Sequence, residues 1–131
     1  MAHKITALLV MPAESRQELL GLLENCGVDL MVARSCKEAA RLIETLPKLD
    51  VVLTSIGLSD GTWWNLRQAV KKVKPTVQVI VYVPRPDGGI VDLLERGADD
   101  VLVLPYERQH IRRILDAAAS RTYMRSQAAR A

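Results

Sequence analysis

DVVLTSIGLSDG, Asp50 to Gly61, is an apolar run that ends in Thr54-Ser55 and opens into a loop closed by Asp60-Gly61. An unbroken apolar run of strand length is the pattern of a parallel-sheet strand covered on both faces. Such a strand delivers one side chain to the surface at its carboxyl end. Here that side chain is Ser55.

Working outward, apolar runs alternate with amphipathic stretches. Ile5–Val10 reads as a first strand, followed by a helix from Ser15 to Cys26 with Leu19, Leu22, Leu23 and Cys26 at helical spacing. Val28–Ala33 is a more polar second strand. Ser35-Cys-Lys-Glu38 is a capping-box pattern that opens a second helix, with Cys36, Ala39, Ala40 and Ile43 on its inner face. After the third strand, Asp50–Ser55, a helix from about Thr62 to Val73 faces inward with Trp63, Leu66, Val70 and Val73, and Lys74-Pro75 stops it. Val77–Val83 is the fourth strand. A short helix with Ile90, Leu93 and Leu94 inward ends at Gly97, and Val101–Leu104 is the fifth strand. A last helix buries Ile111, Ile114, Leu115 and Ala118. Five strands alternating with five helices predict an α/β fold, a doubly wound parallel sheet with helices on both faces. With the polar second strand at an edge, right-handed crossovers give the order 2-1-3-4-5.

The 131 residues fit one domain. Residues 1–120 read as that domain. The basic stretch 121–131 loses apolar periodicity and reads as a helix continuation, a tail or a linker to an output domain. A net charge of +3 is too weak by itself to argue nucleic-acid binding. Cys26 and Cys36 form no CxxC or Cys/His cluster, which argues against zinc and for two small apolar residues in a reducing compartment. The apolar run after Lys4 is short and lacks a small-residue cleavage pattern, and no run approaches bilayer length. A cytoplasmic protein without a membrane span is expected.

In an open parallel sheet, ligands bind beyond the carboxyl ends of the strands at the switch point, here between strands 1 and 3. Met11-Pro12, Ser55, Val83 and Leu104 converge there. Two phrases identify a relative. The stretch Asp50 to Gly61 resembles "DLVLLDxxLPDG", and ERGADDVLVLPY, Glu95 to Tyr106, resembles "EAGADDYLVKPF". Both belong to the receiver domain of bacterial response regulators, the flavodoxin-like module of two-component signalling. The resemblance covers roughly Lys4 to Ser120.

The resemblance implies metal-assisted phosphoryl transfer to an aspartate ending strand 3. A carboxylate forms the acyl phosphate, and an acidic pair after strand 1 helps hold Mg²⁺. A Thr or Ser after strand 4 and a Lys after strand 5 contact the phosphoryl group. In this chain the phosphoacceptor position is Ser55, the acidic pair is Met11 and Pro12, the Thr/Ser position is Val83 and the Lys position is Leu104. The aromatic relay position in strand 5 is Val101. Every functional position is substituted, mostly by apolar residues.

The expectation is therefore a degenerate receiver, a pseudo-receiver. It is not an enzyme, needs no cofactor or metal, and acts in two-component signal transduction through protein contacts. One alternative is a rewired phosphoacceptor using Ser55 with Glu14 or Asp60, against which stand the lack of a base near Ser55 and the ordinary loop positions of both acids. Another is a small-molecule module, although no Gly-rich phosphate loop follows strand 1. Asp99 and Asp100 match a non-catalytic turn of the family. Trp63 and Trp64 cannot both face the core. Trp63 fits the inner stripe, and Trp64 is either packing or an interaction anchor. Tyr106, Arg108 and Arg112 are further candidates for contacts, with Arg113 and Arg121 also outside the last helix's apolar stripe. These arginines fit equally a solvated helix face. The partner would be a protein, the chain's own output domain, or a second copy meeting it through the helix 4–strand 5–helix 5 face. Neither a membrane nor direct nucleic-acid binding is expected. Pro84 and Pro86 around Arg85 predict a stiff loop or simple turn chemistry.

Overall fold

A computed structural model describes residues 4–15, 17–84, 89–103 and 108–130, with only the backbone described for Ser15, Glu18, Arg108, Gln109, Ala129 and Arg130. Five parallel strands form the sheet: β1 (Thr6–Val10), β2 (Asp29–Ala33), β3 (Val51–Ser55), β4 (Gln78–Val83) and β5 (Asp100–Val103). Their order is β2-β1-β3-β4-β5, as expected from the polar character of the second strand. The helices are α1 (Gln17–Glu24), α2 (Cys36–Thr45), α3 (Trp63–Val73), α4 (Ile90–Glu95) and α5 (Arg108–Arg130).

Strand alternation sorts the core into two layers. Ala7, Leu9, Leu53, Ile80 and Leu102 point to one face and meet Leu19 and Leu23 of α1 and Ile111 and Leu115 of α5. Leu8, Val10, Val52 and Val79 point to the other and meet Ala39 and Ile43 of α2 and Leu66 and Val70 of α3. A third cluster under α4 joins Leu93, Val81, Val83, Ala98 and Val101 around Trp63. Each fully buried aliphatic side chain contributes about 1.5–3 kcal/mol.

Helix ends follow local chemistry. Ser35 Oγ accepts from Glu38 N at 3.1 Å and caps α2, the expected cap. Gly97 follows α4 with φ +114°, and a side chain there would meet Arg67 Nε, which donates to Gly97 O at 2.7 Å. Lys71 Nζ reaches Asp99 Oδ2 at 2.9 Å, and the same oxygen accepts from Val79 N, so Asp99 ties α3 to the start of β4.

Two expectations need correction. Val73 is 45% exposed and Leu94 43% exposed, although both continue an inner stripe in the sequence. Each sits at or near a helix end, where the sheet no longer covers the stripe. The chain also inserts a minor two-stranded hairpin, Gly57–Leu58 with Gly61–Thr62, between β3 and α3. The last helix continues past residue 120, one of the readings open for that stretch, and runs for 23 residues.

Its continuation is anchored by polar groups. Thr122 is buried, and its hydroxyl donates to Asp50 O at 2.6 Å and accepts from Gln78 N at 3.3 Å. One helix hydroxyl thus joins the amino ends of β3 and β4. Arg121 Nε donates to Gln78 Oε1 at 2.8 Å beside it. Thr122→Val keeps the volume but leaves a buried carbonyl and N–H without this partner. It should cost about 1–3 kcal/mol, read as a lower urea midpoint at unchanged slope.

Candidate functional site

The carboxyl ends of β1, β3 and β4 meet at an open cleft of about 370 Å³ lined by Met11, Ser55, Ile56, Tyr82 and Pro84. Alternation explains the membership. Met11, Ser55 and Tyr82 share the α1/α5 face of the sheet with Leu9, Leu53 and Ile80. Val83 is one residue further along β4 and points to the opposite face. It is buried with Trp63, Val81, Leu93 and Val101.

Met11 and Ser55 are therefore brought together as the sequence suggests, and Val83 is not with them. Tyr82 and Ile56 are the lining residues that sequence reading missed, and counting the two-residue period back from the strand end would have found Tyr82. Pro12 is half-buried next to Met11 and is not part of the lining. Leu104 and Tyr106 lie outside the described residues, as do Arg85, Pro86 and the side chain of Arg108.

Ser55 Oγ donates to Gly57 O at 2.8 Å, so its hydroxyl proton is engaged by its own loop. Among the described lining residues there is no carboxylate, lysine, arginine or histidine. Glu14 is exposed in the short 3₁₀ turn Ala13–Ser15.

Asp60 has a different task from the metal ligation weighed for it. Its Oδ1 accepts from Cys36 N at 2.8 Å and its Oδ2 from Lys37 N at 3.0 Å. With Ser35 on Glu38 N, the first three N–H groups of α2 are satisfied. Asp60 thereby clips the loop after β3 onto α2, the helix that precedes that strand. At the other end of that loop, Asn65 Oδ1 accepts from Thr62 N and from the Thr62 hydroxyl at 2.9 and 3.1 Å. The N–H bonds from Cys36 and then Lys37 hold the Asp60 carboxyl below the usual aspartate range. Burial, and then the Asp60 charge, push the Cys36 thiol up to about 11, so it stays protonated at neutral pH.

The interaction candidates divide. Trp63 is buried, while Trp64 is 44% exposed on the first turn of α3. Arg112 turns inward: its Nη1 donates to Cys26 O just past the end of α1, and its Nε to Asp116 Oδ1 at 3.0 Å. A cation at the carboxyl end of a helix is favourably placed. Arg113 is exposed, and Arg121 is engaged with Gln78 and, at 3.7 Å, with Asp100.

No protein-family model matches the sequence, and no curated protein matches it. Solved structures do. A two-component response regulator from Clostridium difficile is 27% identical over 90% of this chain and 98% of its own, with a TM-score of 0.73. The receiver domain of a sensor histidine kinase from Pseudomonas aeruginosa, with a magnesium ion coordinated in its active-site cleft, is 20% identical over 90% of this chain and 99% of its own, TM-score 0.75. NtrX from Brucella abortus is 19% identical over 97% of this chain but only 29% of its own, TM-score 0.80.

The Asp60 clip makes a pH prediction. A carboxyl with a lowered folded pKa stabilises above the ordinary aspartate range and loses that contribution as pH falls through the lowered value. Asp60→Ala should unfold at lower urea than wild type at neutral pH, and the gap should close below about pH 4. A gap that does not change with pH would contradict this role. The solved chains that this protein resembles are receiver domains of two-component signalling, and its five-stranded parallel sheet has their fold.

Proposed function

We propose that the chain is a pseudo-receiver, a non-enzymatic receiver-fold domain that acts in cytoplasmic two-component signalling by protein contact rather than by its own phosphorylation. The observation that carries this reading is the lining of the cleft. Met11, Ile56, Tyr82 and Pro84 surround Ser55. A hard cation wants several oxygen ligands, and phosphoryl transfer depends on placed charge. Ser55 offers a neutral hydroxyl already bonded to Gly57 O, and a neutral hydroxyl needs a base to become a nucleophile. Asp60, in the loop that follows Ser55, is engaged by the amino end of α2.

The conformational lever of the family is also absent in kind. Val83 and Val101, at the hydroxyl and aromatic relay positions, pack together against Trp63. Apolar contacts of this sort favour one arrangement at all times. Among the described residues no helix is long and apolar enough to cross a membrane.

For the partner, the α4–β5–α5 face supports a second copy of the chain. Val91 of α4 is 63% exposed, and Leu94 joins it on the same helix. Asp92 and Glu95 make α4 acidic, while Arg113 and Arg125 are exposed on α5. Both helices pack against edge strand β5. Acid on one side of a strand and base on the other is self-complementary under a two-fold axis.

Two measurements test these claims. Mg²⁺ with beryllofluoride, or with acetyl phosphate, should leave the amide spectrum around Ser55, Tyr82 and Val101 unchanged, and a saturable shift there would refute the pseudo-receiver. Sedimentation should show a dimer that Leu94→Asp weakens by at least about tenfold without loss of helicity. A monomeric wild type would rule out the homodimer.

A further inference from the structure

The cleft at the carboxyl ends of β1, β3 and β4 has apolar walls that are already in place. Met11 forms part of its floor. The Met11 N–H donates to Ala33 O at 3.1 Å, one rung beyond β1, and its side chain is buried. Tyr82 pairs with Ser55 across the β3–β4 ladder and shares the same face of the sheet, so its side chain completes the floor. Ile56 and Pro84 form the rim, and both are exposed. Ile56 is held there by its backbone, since its O accepts from Trp63 N at 2.9 Å. Pro84 has a fixed φ. A ligand entering such a cleft has little left to order.

The lining also selects by chemistry. Its volume, about 370 Å³, lies within the range of small-molecule sites, and it opens at the switch point of the sheet. Among the described lining residues no side chain carries a charge, so an ion would lose its hydration there without gaining a counter-charge. A neutral apolar ligand avoids that cost. A ring suits the floor better than a chain, because the Met11 thioether and the Tyr82 ring both attract aromatic groups. Ser55 adds direction. Its proton goes to Gly57 O at 2.8 Å, so toward the cleft Oγ offers a lone pair and asks for a donor.

We propose that the cleft binds a small, neutral aromatic molecule with one hydrogen-bond donor, of the phenol or indole class. Its ring lies among Met11, Ile56 and Tyr82, and its O–H or N–H donates to Ser55 Oγ. The proposal rests on the pseudo-receiver reading of the cleft and adds an input to it, occupancy by a ligand in place of a phosphoryl group. An aliphatic side chain from a partner protein would use the walls but leave Ser55 Oγ without a donor.

The test uses the whole chain, ¹⁵N-labelled, titrated with indole. Two parallel titrations use benzofuran, which replaces the N–H by an oxygen, and indole-3-carboxylate, which adds a charge. Indole should give saturable shifts at Met11, Ser55, Ile56 and Tyr82, with a Kd on the order of 0.1–1 mM for so small a ligand. Benzofuran should bind about threefold more weakly, and indole-3-carboxylate at least about tenfold more weakly. Ser55→Ala should close the gap between indole and benzofuran, and Ile56→Ala should weaken both alike. If a variant disturbs amides away from the cleft, the three ligands on the wild-type chain still decide the matter. Shifts that do not saturate, shifts centred on Trp64 or α4, equal binding of benzofuran, or tighter binding of the carboxylate would overturn the proposal. Mg²⁺ with beryllofluoride, added to a separate sample, keeps the two claims apart: a shift from it refutes the pseudo-receiver, whereas silence from indole refutes the ligand alone.

Discussion

Strands β1, β3 and β4 have water on neither face, and the rest of the molecule is arranged to keep it so. Burying both faces of a strand requires helices above and below, and that forces the alternation of strand and helix along the chain. It also decides where chemistry can occur. Side chains within the sheet are committed to packing, so only the strand ends are free to meet a ligand. In this chain those ends are also largely apolar, and Met11 and Val83 extend the core to the rim.

The loop after β3 is held by its own hydrogen bonds. Asp60 neutralises the amino end of α2, Asn65 holds Thr62 at the start of α3, and Ser55 bonds back to Gly57. These contacts are hydrogen bonds whose partners are mostly backbone groups.

Much of this was legible in the sequence. The apolar run before Ser55 and the polarity of β2 were enough for the sheet order, because buried and edge strands differ in composition. Ser35 as a cap was readable from four residues. What could not be read depended on contacts between distant residues. Asp60 looks like any turn acid until α2 is placed beside it, and no local pattern links positions 24 residues apart. Tyr82 and Val83 are neighbours in sequence but face opposite layers, and the motif alone does not say which one lines the cleft. Val73 and Leu94 satisfy the helical period but fall where the sheet gives no cover. Apolar spacing left the continuation of α5 as one reading among three, because Arg121 and Thr122 hold it by hydrogen bonds.

That last anchor has a mechanical meaning. Thr122 stands in for a rung of the ladder where β3 and β4 begin, and those same strands end at Ser55 and Val83. Tension or torque applied along α5 from its carboxyl end is therefore delivered to the sheet backbone before it reaches any loop. Fraying of the helix would be felt as solvent exchange at the Gln78 amide, 44 residues away in the chain. The helix end and the strand starts are one cooperative unit, and the part of the molecule best placed to feel a neighbour is the edge of the sheet opposite the cleft.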